Sequence, residues 1–394
     1  MKLCFECSEY PPGPHGGIGS LVQILARGLV KAGHQVRVVG LYAAGYPAPD
    51  FEEDHGVRVW RLRVPTHRLG WVLSRKRLFA LVQDWCRSGE VELVEVPDYG
   101  APAAGWPALP VPVVVRLSGS SSFFRSEMGR RPDWLTLKME RASIRRGDFL
   151  VSESRYLGMK TRSVFGLGSE PGTIIYNPVE VPESVPGAVR DPHMVVFAGT
   201  LTEKKGVVSL IRSWAGVREG CPEANLHIWG KDGLTTGGGS MREYLGSLLT
   251  SPLVQSVHFH GHVPLAELLA TFQTAGMTVL PSYAEGFALT PLHAMAAGCP
   301  TIYTVRGSGP ELIDEGVTGL LVDPDRPDQI CSAILTLLKN PDLARRIGEN
   351  GRHHVERRFS WPVLLAQNEE FYHRCLEEFG QNRHQRTKAP IHAK

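Results

Sequence analysis

Short apolar runs alternate along the first half of the chain with longer stretches whose apolar positions recur every three to four residues. This is the pattern of a parallel β-sheet covered by helices. Leu3–Ser8 reads as a strand. Leu21, Leu25, Gly28, Leu29 and Ala32 then share one helical face, Gly33 ends that helix, and Gln35–Val39 return as a second strand, completing a β-α-β unit. Further strands are expected at 91–96, 111–117, 149–152 and 173–176, with a helical stretch at 134–145 among them.

From Asn177 to Pro192 the prolines Pro178, Pro182, Pro186 and Pro192 alternate with polar residues, the composition of a linker. A second alternating series follows, with strands expected at 194–198, 225–229, 257–260, 277–280 and 301–303, and helices at 207–217 and 265–274. The expected fold class is therefore α/β, with two Rossmann-like domains whose strand ends face each other across a cleft. A long amphipathic helix is expected from Trp361 to about Phe379, and the polar, basic stretch from Gln381 to Lys394 reads as a mobile tail.

Length agrees with this division, since 394 residues suit two cores of roughly 150 to 200 residues each. Forty-three Lys and Arg against forty Asp and Glu leave a formal charge of +3. That balance argues against a dedicated nucleic-acid binder, so anion binding has to be local. The start, Met1–Cys7, leads into an acidic and proline-rich stretch with no apolar signal segment, and no run of eighteen apolar residues occurs. A cytoplasmic location is expected. Seven scattered cysteines fit free thiols in a reducing compartment; the Cys4–Cys7 spacing admits core packing, metal and redox readings, of which packing is favoured because both lie in the first strand.

Candidate chemistry concentrates in two loops. Gly16-Gly17-Ile18-Gly19 precedes a helix, where backbone N–H groups can point at an anion. A dinucleotide fingerprint fails, because the third glycine is missing after Gly19 and the second strand ends without an acidic residue. The run from Pro281 to Pro300 is sharper. A strand ends at Leu280, Glu285 and Gly286 occupy the turn, and an apolar helix is expected from near Phe287, its first turn (Phe287, Ala288, Leu289) offering free N–H groups to a diphosphate. Glu285, beside that anion, suits sugar hydroxyls.

Glu285-Gly286-Phe287 with Ala294-Met295-Ala296-Ala297-Gly298, together with Gly16–Gly19, Phe197-Ala198-Gly199, Lys205-Gly206 and Tyr176-Asn177-Pro178-Val179, resembles the retaining GT-B glycosyltransferases of glycosyltransferase family 4. The resemblance spans nearly the whole chain. It implies an acceptor-binding domain at 1–178, a nucleotide-sugar domain at 179–360, and a helix at 361–380 crossing back to the first domain, followed by the tail 381–394. It also implies a nucleoside-diphosphate sugar donor, a GDP- or UDP-sugar, and no obligatory metal or other cofactor. Lys205 matches the lysine that neutralises the departing diphosphate, and Glu285 the carboxylate on the donor sugar. Gly16 and Gly17 match the loop approaching the phosphate from the other side. Base selection would use the loop Gly261-His262-Val263.

Three positions depart from the family pattern. Thr200 replaces an arginine after Gly199, and loss of one charge-assisted hydrogen bond, about 1.5–3 kcal/mol, would weaken binding or rate roughly ten- to 150-fold. Lys204 and Arg306 are candidates to compensate. His293 replaces the glutamate that binds both ribose hydroxyls, and an imidazole can serve only one. Ser118 replaces a histidine near the reacting sugar, which suits either a bulkier donor, a different acceptor or simple drift. Asp98 and Tyr99, at a strand end, are candidate acceptor ligands, while Arg125, Glu127 and Arg131 read as a solvated face.

The expected function is retaining transfer to a small soluble acceptor, with natural-product or thiol tailoring among the contexts. Alternatives are a pseudoenzyme that only binds a nucleotide sugar, a related reaction such as epimerisation, and transfer to a lipid-linked acceptor. The last rests on the basic and aromatic segment His67–Phe79, which suits a membrane surface except that Gly70 interrupts it.

Overall fold

The computed structural model describes residues 1–67, 70–167, 172–183 and 189–388, with 383–388 described by backbone alone. The chain divides into two compact units. One comprises Met1–Ser126, Arg130–Pro178 and Pro362–Lys394, the other Glu127–Gly129 and Val179–Trp361.

Among the described residues the first unit holds eight strands: β1 (Lys2–Glu6), β2 (Gln35–Ala43), β3 (Phe51–Asp54), β4 (Val57–Val64), β5 (Leu93–Pro97), β6 (Val113–Leu117), β7 (Phe149–Ser152) and β8 (Thr173–Ile174). Their order is β3-β4-β2-β1-β5-β6-β7-β8, and every pairing is parallel except β3 with β4. β5 and β6 are buried at every position, as expected of central strands covered on both faces. The chain runs outward from β1 in one direction and then returns to β5, so the topological switch lies between these two strands.

The β3–β4 hairpin and the helix Gly70–Arg87 were not expected from the pattern, because Phe51–Val64 mixes charged and apolar residues without a clean period. Gly70 does not interrupt a helix; it is the first residue of one. Arg68 and Leu69 of the same segment lie outside the described residues. Cys4 and Cys7 are buried free thiols, and burial pushes both well up, which makes them packing groups.

In the second unit the strands are β9 (Asp191–Ala198), β10 (Asn225–Trp229), β11 (Val257–Gly261), β12 (Ala275–Leu280), β13 (Thr301–Thr304) and β14 (Leu320–Val322). They form an all-parallel sheet in the order β11-β10-β9-β12-β13-β14, with the switch between β9 and β12. Pro192, expected in the linker, is the second residue of β9, an end position where the lost N–H is tolerated.

The last helix, Trp361–Lys388, belongs from Pro362 onward to the first unit. It continues past Phe379, so the backbone at 381–388 is helical rather than a loose tail, and 389–394 lie outside the described residues. A buried polar cluster fastens it. Arg116 on β6 donates to Glu95 on β5 through Nε (2.6 Å) and Nη2 (3.1 Å), and Nη2 also reaches Asn368 Oδ1 at 2.7 Å. The Tyr372 hydroxyl completes the set by donating to Glu95 Oε2 at 2.8 Å. Burial disfavours the Arg116 charge, but Glu95 beside it more than offsets that and raises its pKa.

Removing one partner of a fully buried ion pair strands the other charge, which is destabilising by about 3–5 kcal/mol. Glu95→Ala is expected to lower the unfolding free energy by an amount of that order, measured by urea denaturation followed by circular dichroism.

Candidate functional site

In an open parallel sheet, ligands bind outside the carboxyl ends of the strands at the switch point. In the second unit that place is the end of β9 and of β12. After β9, Gly199 leads to Thr200 and a single 3₁₀ turn, Glu203–Lys205, closed by Gly206 in the left-handed region at φ +72°. A Cβ on Gly206 would lie 1.8 Å from the Pro281 carbonyl oxygen, so only glycine lets this turn rest on the end of β12. Lys205 Nζ thereby meets Glu285 Oε1 at 2.5 Å.

Burial alone would raise the Glu285 pKa, yet it is lowered, because the Lys205 and Lys204 ammonium groups stand nearby and Lys205 and Ser282 hydrogen-bond the carboxylate. Burial in turn lowers the Lys204 pKa, opposed by Glu285. The result is an ionised carboxylate against two cations at the foot of the strand ends. Arg306 does not join them: it is paired with Asp323 at 2.8 Å and Asp325 at 2.5 Å. Thr200 is exposed.

The helix expected from Phe287 begins at Leu289 and runs to Ala296, with Ala288 as its N-cap and no side-chain cap. Gly286, Phe287 and Ala288 form the buried approach to it. Pro291 stands third in the helix, so among its first three residues only Leu289 and Thr290 carry an N–H. His293 faces inward from the same helix. Its Nδ1 is buried without a hydrogen-bond partner, and burial lowers its pKa to about 4, which keeps the ring neutral at physiological pH. His262 is exposed, whereas Val263 packs against the core that contains Trp229 and Phe272.

Sequence reasoning missed three neighbours. The buried hydroxyls of Tyr303 and Ser308 also lack partners, and Gly307 at φ +62° presses against the Glu285 carbonyl, 2.7 Å from where its Cβ would stand. Tyr303 lies on β13 beside β12, a position the strand-end rule could have flagged.

In the first unit, Gly16 is the N-cap of the helix Gly17–Lys31 and both glycines are exposed. That terminus is partly filled by the protein itself, since Glu9 Oε1 accepts from the Gly19 N–H at 2.8 Å. Ser118 follows β6 and is held twice. Its N–H donates to Asp98 Oδ1 at 2.9 Å and its hydroxyl donates to Glu153. Asp98 is fully buried, so its carboxyl supports Ser118 and does not open onto solvent as an acceptor ligand would; Tyr99, the next residue, is 51% exposed. Burial raises Asp98 to about 7, helped by Glu153 and Glu140, and leaves its Oδ2 unpartnered. Burial likewise raises Glu153 to about 7 against the hydrogen bonds from Ser118 and Asn177. Asp98, Ser118 and Glu153 stand at the ends of three adjacent strands, β5, β6 and β7, which a linear reading cannot bring together.

Among the described residues one group, His193, Cys221 and Glu223, brings three metal-capable atoms within 4.8 Å of one another. It lies where β9 starts and just before β10, at the opposite edge of the sheet from Lys205 and Glu285. No helix among the described residues is long and apolar enough to cross a membrane.

Comparison with known proteins accounts for both units. Residues 183–354 match the family model described as glycosyl transferases group 1, and residues 16–178 match that of a glycosyl transferase 4-like domain. An uncharacterised glycosyltransferase of Methanocaldococcus jannaschii is 28% identical, over 96% of this chain and all of its own. Among solved structures, a sucrose-phosphate synthase from Thermosynechococcus elongatus superposes with a TM-score of 0.79 at 21% identity, covering 95% of this chain and 99% of that one. Anabaena HepE, solved in complex with UDP and glucose, has a TM-score of 0.73 at 17% identity, covering 94% and 99%.

The raised carboxyls make a prediction. Because Asp98, Glu153 and also Glu6 titrate near 7 in the folded chain, the native state holds protons that the unfolded chain has released. Their contribution to stability is full below the ordinary carboxylate range and is lost as pH rises through about 7. Urea midpoints measured between pH 5 and 8 are expected to decline more steeply for the wild type than for Glu153→Gln. Equal slopes would contradict the assignment.

Proposed function

Because the chain belongs to the group 1, family 4 glycosyltransferases and has their GT-B fold, we propose that it moves a sugar from a GDP- or UDP-sugar to a small soluble acceptor with retention at the anomeric carbon. The observation that carries this reading is the Lys205–Glu285 pair, held on the switch-point ends of β9 and β12, and, on the helix that follows, a neutral His293 whose Nδ1 has no partner. Uridine nucleotide in HepE, a protein of the same fold, supports a nucleoside diphosphate as the leaving group.

In this reading Lys205, with Lys204 behind it, takes the negative charge that builds on the diphosphate, and the Leu289 and Thr290 N–H groups at the helix terminus share it. Glu285, kept ionised, accepts hydrogen bonds from hydroxyls of the donor sugar. His293 is assigned to one ribose hydroxyl in place of the two a glutamate would take. The bond from the anomeric carbon to the phosphate oxygen breaks as the acceptor oxygen attacks from the face the diphosphate leaves. The acceptor proton ends on the released diphosphate, so the chemistry calls on neither a protein base nor a metal. Ser118, fixed by Asp98 and Glu153, is assigned to the reacting sugar, and Gly16 and Gly17 to the phosphate. Tyr99 is assigned to the acceptor.

Lys205→Ala is expected to reduce turnover by about 10²-fold or more, the range for losing one preorganised charge-stabilising donor. Calorimetric titration with GDP, UDP, ADP and TDP, run on the wild type and on this variant, tests the donor assignment. One nucleotide should bind the wild type and bind the variant markedly more weakly. Near-normal turnover in Lys205→Ala removes the charge-stabilising role, and failure of every nucleotide to bind the wild type leaves the pseudoenzyme as the better account.

A second reading, a lipid-linked acceptor, has its own observation. Trp71, Val72 and Leu73 are consecutive, apolar and each about half exposed at the start of the helix Gly70–Arg87. Under the soluble-acceptor reading, the protein is expected to stay in the supernatant when spun with anionic liposomes at physiological salt, and firm co-sedimentation would reverse the choice.

A further inference from the structure

A cavity of about 450 Å³ lies within the second unit, at the amino ends of β9, β12 and β13, the sheet edge opposite to Lys205 and Glu285. Its volume falls in the range of small-molecule sites, roughly 300–1,000 Å³. Met277 on β12, Pro300 before β13, and Leu337 and Leu338 near the end of the helix Pro327–Lys339 give it apolar walls. Arg190, Arg345 and Arg352 also line it, against one carboxylate, Glu349. We propose that this cavity is a second ligand site, separate from the one that holds Lys205 and Glu285, and that it takes a small amphipathic monocarboxylate. The apolar body of the ligand lies against Met277 and Leu337, and its carboxylate meets Arg190. The proposal goes beyond the transferase reading and does not rest on it.

The three arginines are not equivalent. Arg345 is exposed and shared between Asp342 (3.5 Å) and Glu349 (3.3 Å), and Arg352 is paired with Glu356 at 2.9 Å. Arg190 is half-buried, and among the described residues no carboxylate pairs with it. Its guanidinium donates to the carbonyls of Phe272 (2.7 Å), Ala275 (3.0 Å) and Ala297 (2.7 Å). Neutral carbonyls fix its position and leave its charge in place, since a guanidinium stays protonated in proteins. Because those bonds already hold the side chain, an anion does not have to order it on binding. One fixed cation beside apolar walls matches one carboxylate, which can form a charge-assisted hydrogen bond to it. A phosphate or diphosphate would bring more charge than this guanidinium offsets and would lose its hydration against Met277 and Leu337. An amine meets like charge there, and a neutral alcohol forgoes the charge-assisted bond.

The test is calorimetric titration of the full-length protein, below micelle-forming concentrations, with octanoate and naphthoate, each beside the alcohol and the amine of the same carbon skeleton. At least one carboxylate is expected to bind, about tenfold or more tighter than its alcohol or amine, the range of a hydrogen bond to a charged group. Ala344→Phe, at a half-buried lining position on the helix Pro341–Arg358, places a ring in the cavity. This variant should lose carboxylate binding while its melting temperature and its nucleotide titration stay as in the wild type. Arg190→Gln should bring carboxylate and alcohol to equal affinity, and Arg190→Lys should restore the preference. The ligand series and Ala344→Phe decide the matter should Arg190→Gln fail to fold. An alcohol or amine that binds as tightly as its carboxylate overturns the proposal, and so does carboxylate binding indifferent to Ala344→Phe. Folded protein that binds neither carboxylate up to millimolar concentration overturns it as well, and reduces the cavity to a gap in packing.

Discussion

Everything in the second unit's chemistry depends on one close approach of backbone to backbone. With a Cβ at Gly206 the turn could not lie on the Pro281 carbonyl, and Lys205 would stand away from β12. Lys205 and Glu285 are eighty residues apart in the chain and meet only because the turns after β9 and β12 touch. A parallel sheet makes this possible, since all its carboxyl ends lie along one edge and the switch point leaves a gap between the crossing connections. The ion pair is then a property of topology refined by a missing side-chain atom.

The two units treat the same functional group in opposite ways. Glu285 is as buried as Glu153, but two lysines hold it ionised, whereas the burial of Glu153 and Asp98 is only partly offset by hydrogen bonds and they hold protons to about pH 7. Carboxyls set apart by environment in this manner take different roles. The first is fitted to gather hydroxyls next to a phosphate charge; the pair is fitted to hold Ser118 rigidly without adding a full negative charge beside it.

Much of this could be read from the chain before any coordinates. The central strands announce themselves because both faces are buried and their sequences are mostly apolar, with Arg116 the one charged residue in β6 and Thr278 the one polar residue in β12, and Glu285 stands near a strand end followed by an apolar helix. Edges were harder. β3 and β4 carry alternating charges such as Glu53 and Arg58, which face each other across the hairpin and blur the apolar period. The helix start slipped from Phe287 to Leu289 because the buried Phe287 lies in a bend and Ala288 is extended, an approach that looks, in one dimension, like a first turn. Asp98 reads as a strand-end ligand, but it is buried, accepts from the Ser118 N–H, and is held protonated with help from Glu153 and Glu140 of distant segments. Charge compensation was equally invisible: Arg306 stands near the family loop in sequence, yet two aspartates claim it.

The Arg116 cluster bears on how the molecule comes into being. Arg116 and Glu95 precede the second unit in the chain, while Asn368 and Tyr372, which complete their hydrogen bonding, follow it. The second unit, continuous from Val179 to Trp361 apart from the small Glu127–Gly129 piece, is fully synthesised before them. Translation order and completion order are therefore reversed: the half that emerges first waits for the helix that begins at Trp361 with its Arg116–Glu95 pair uncovered, and reaches its finished state only after the half that follows it has been made.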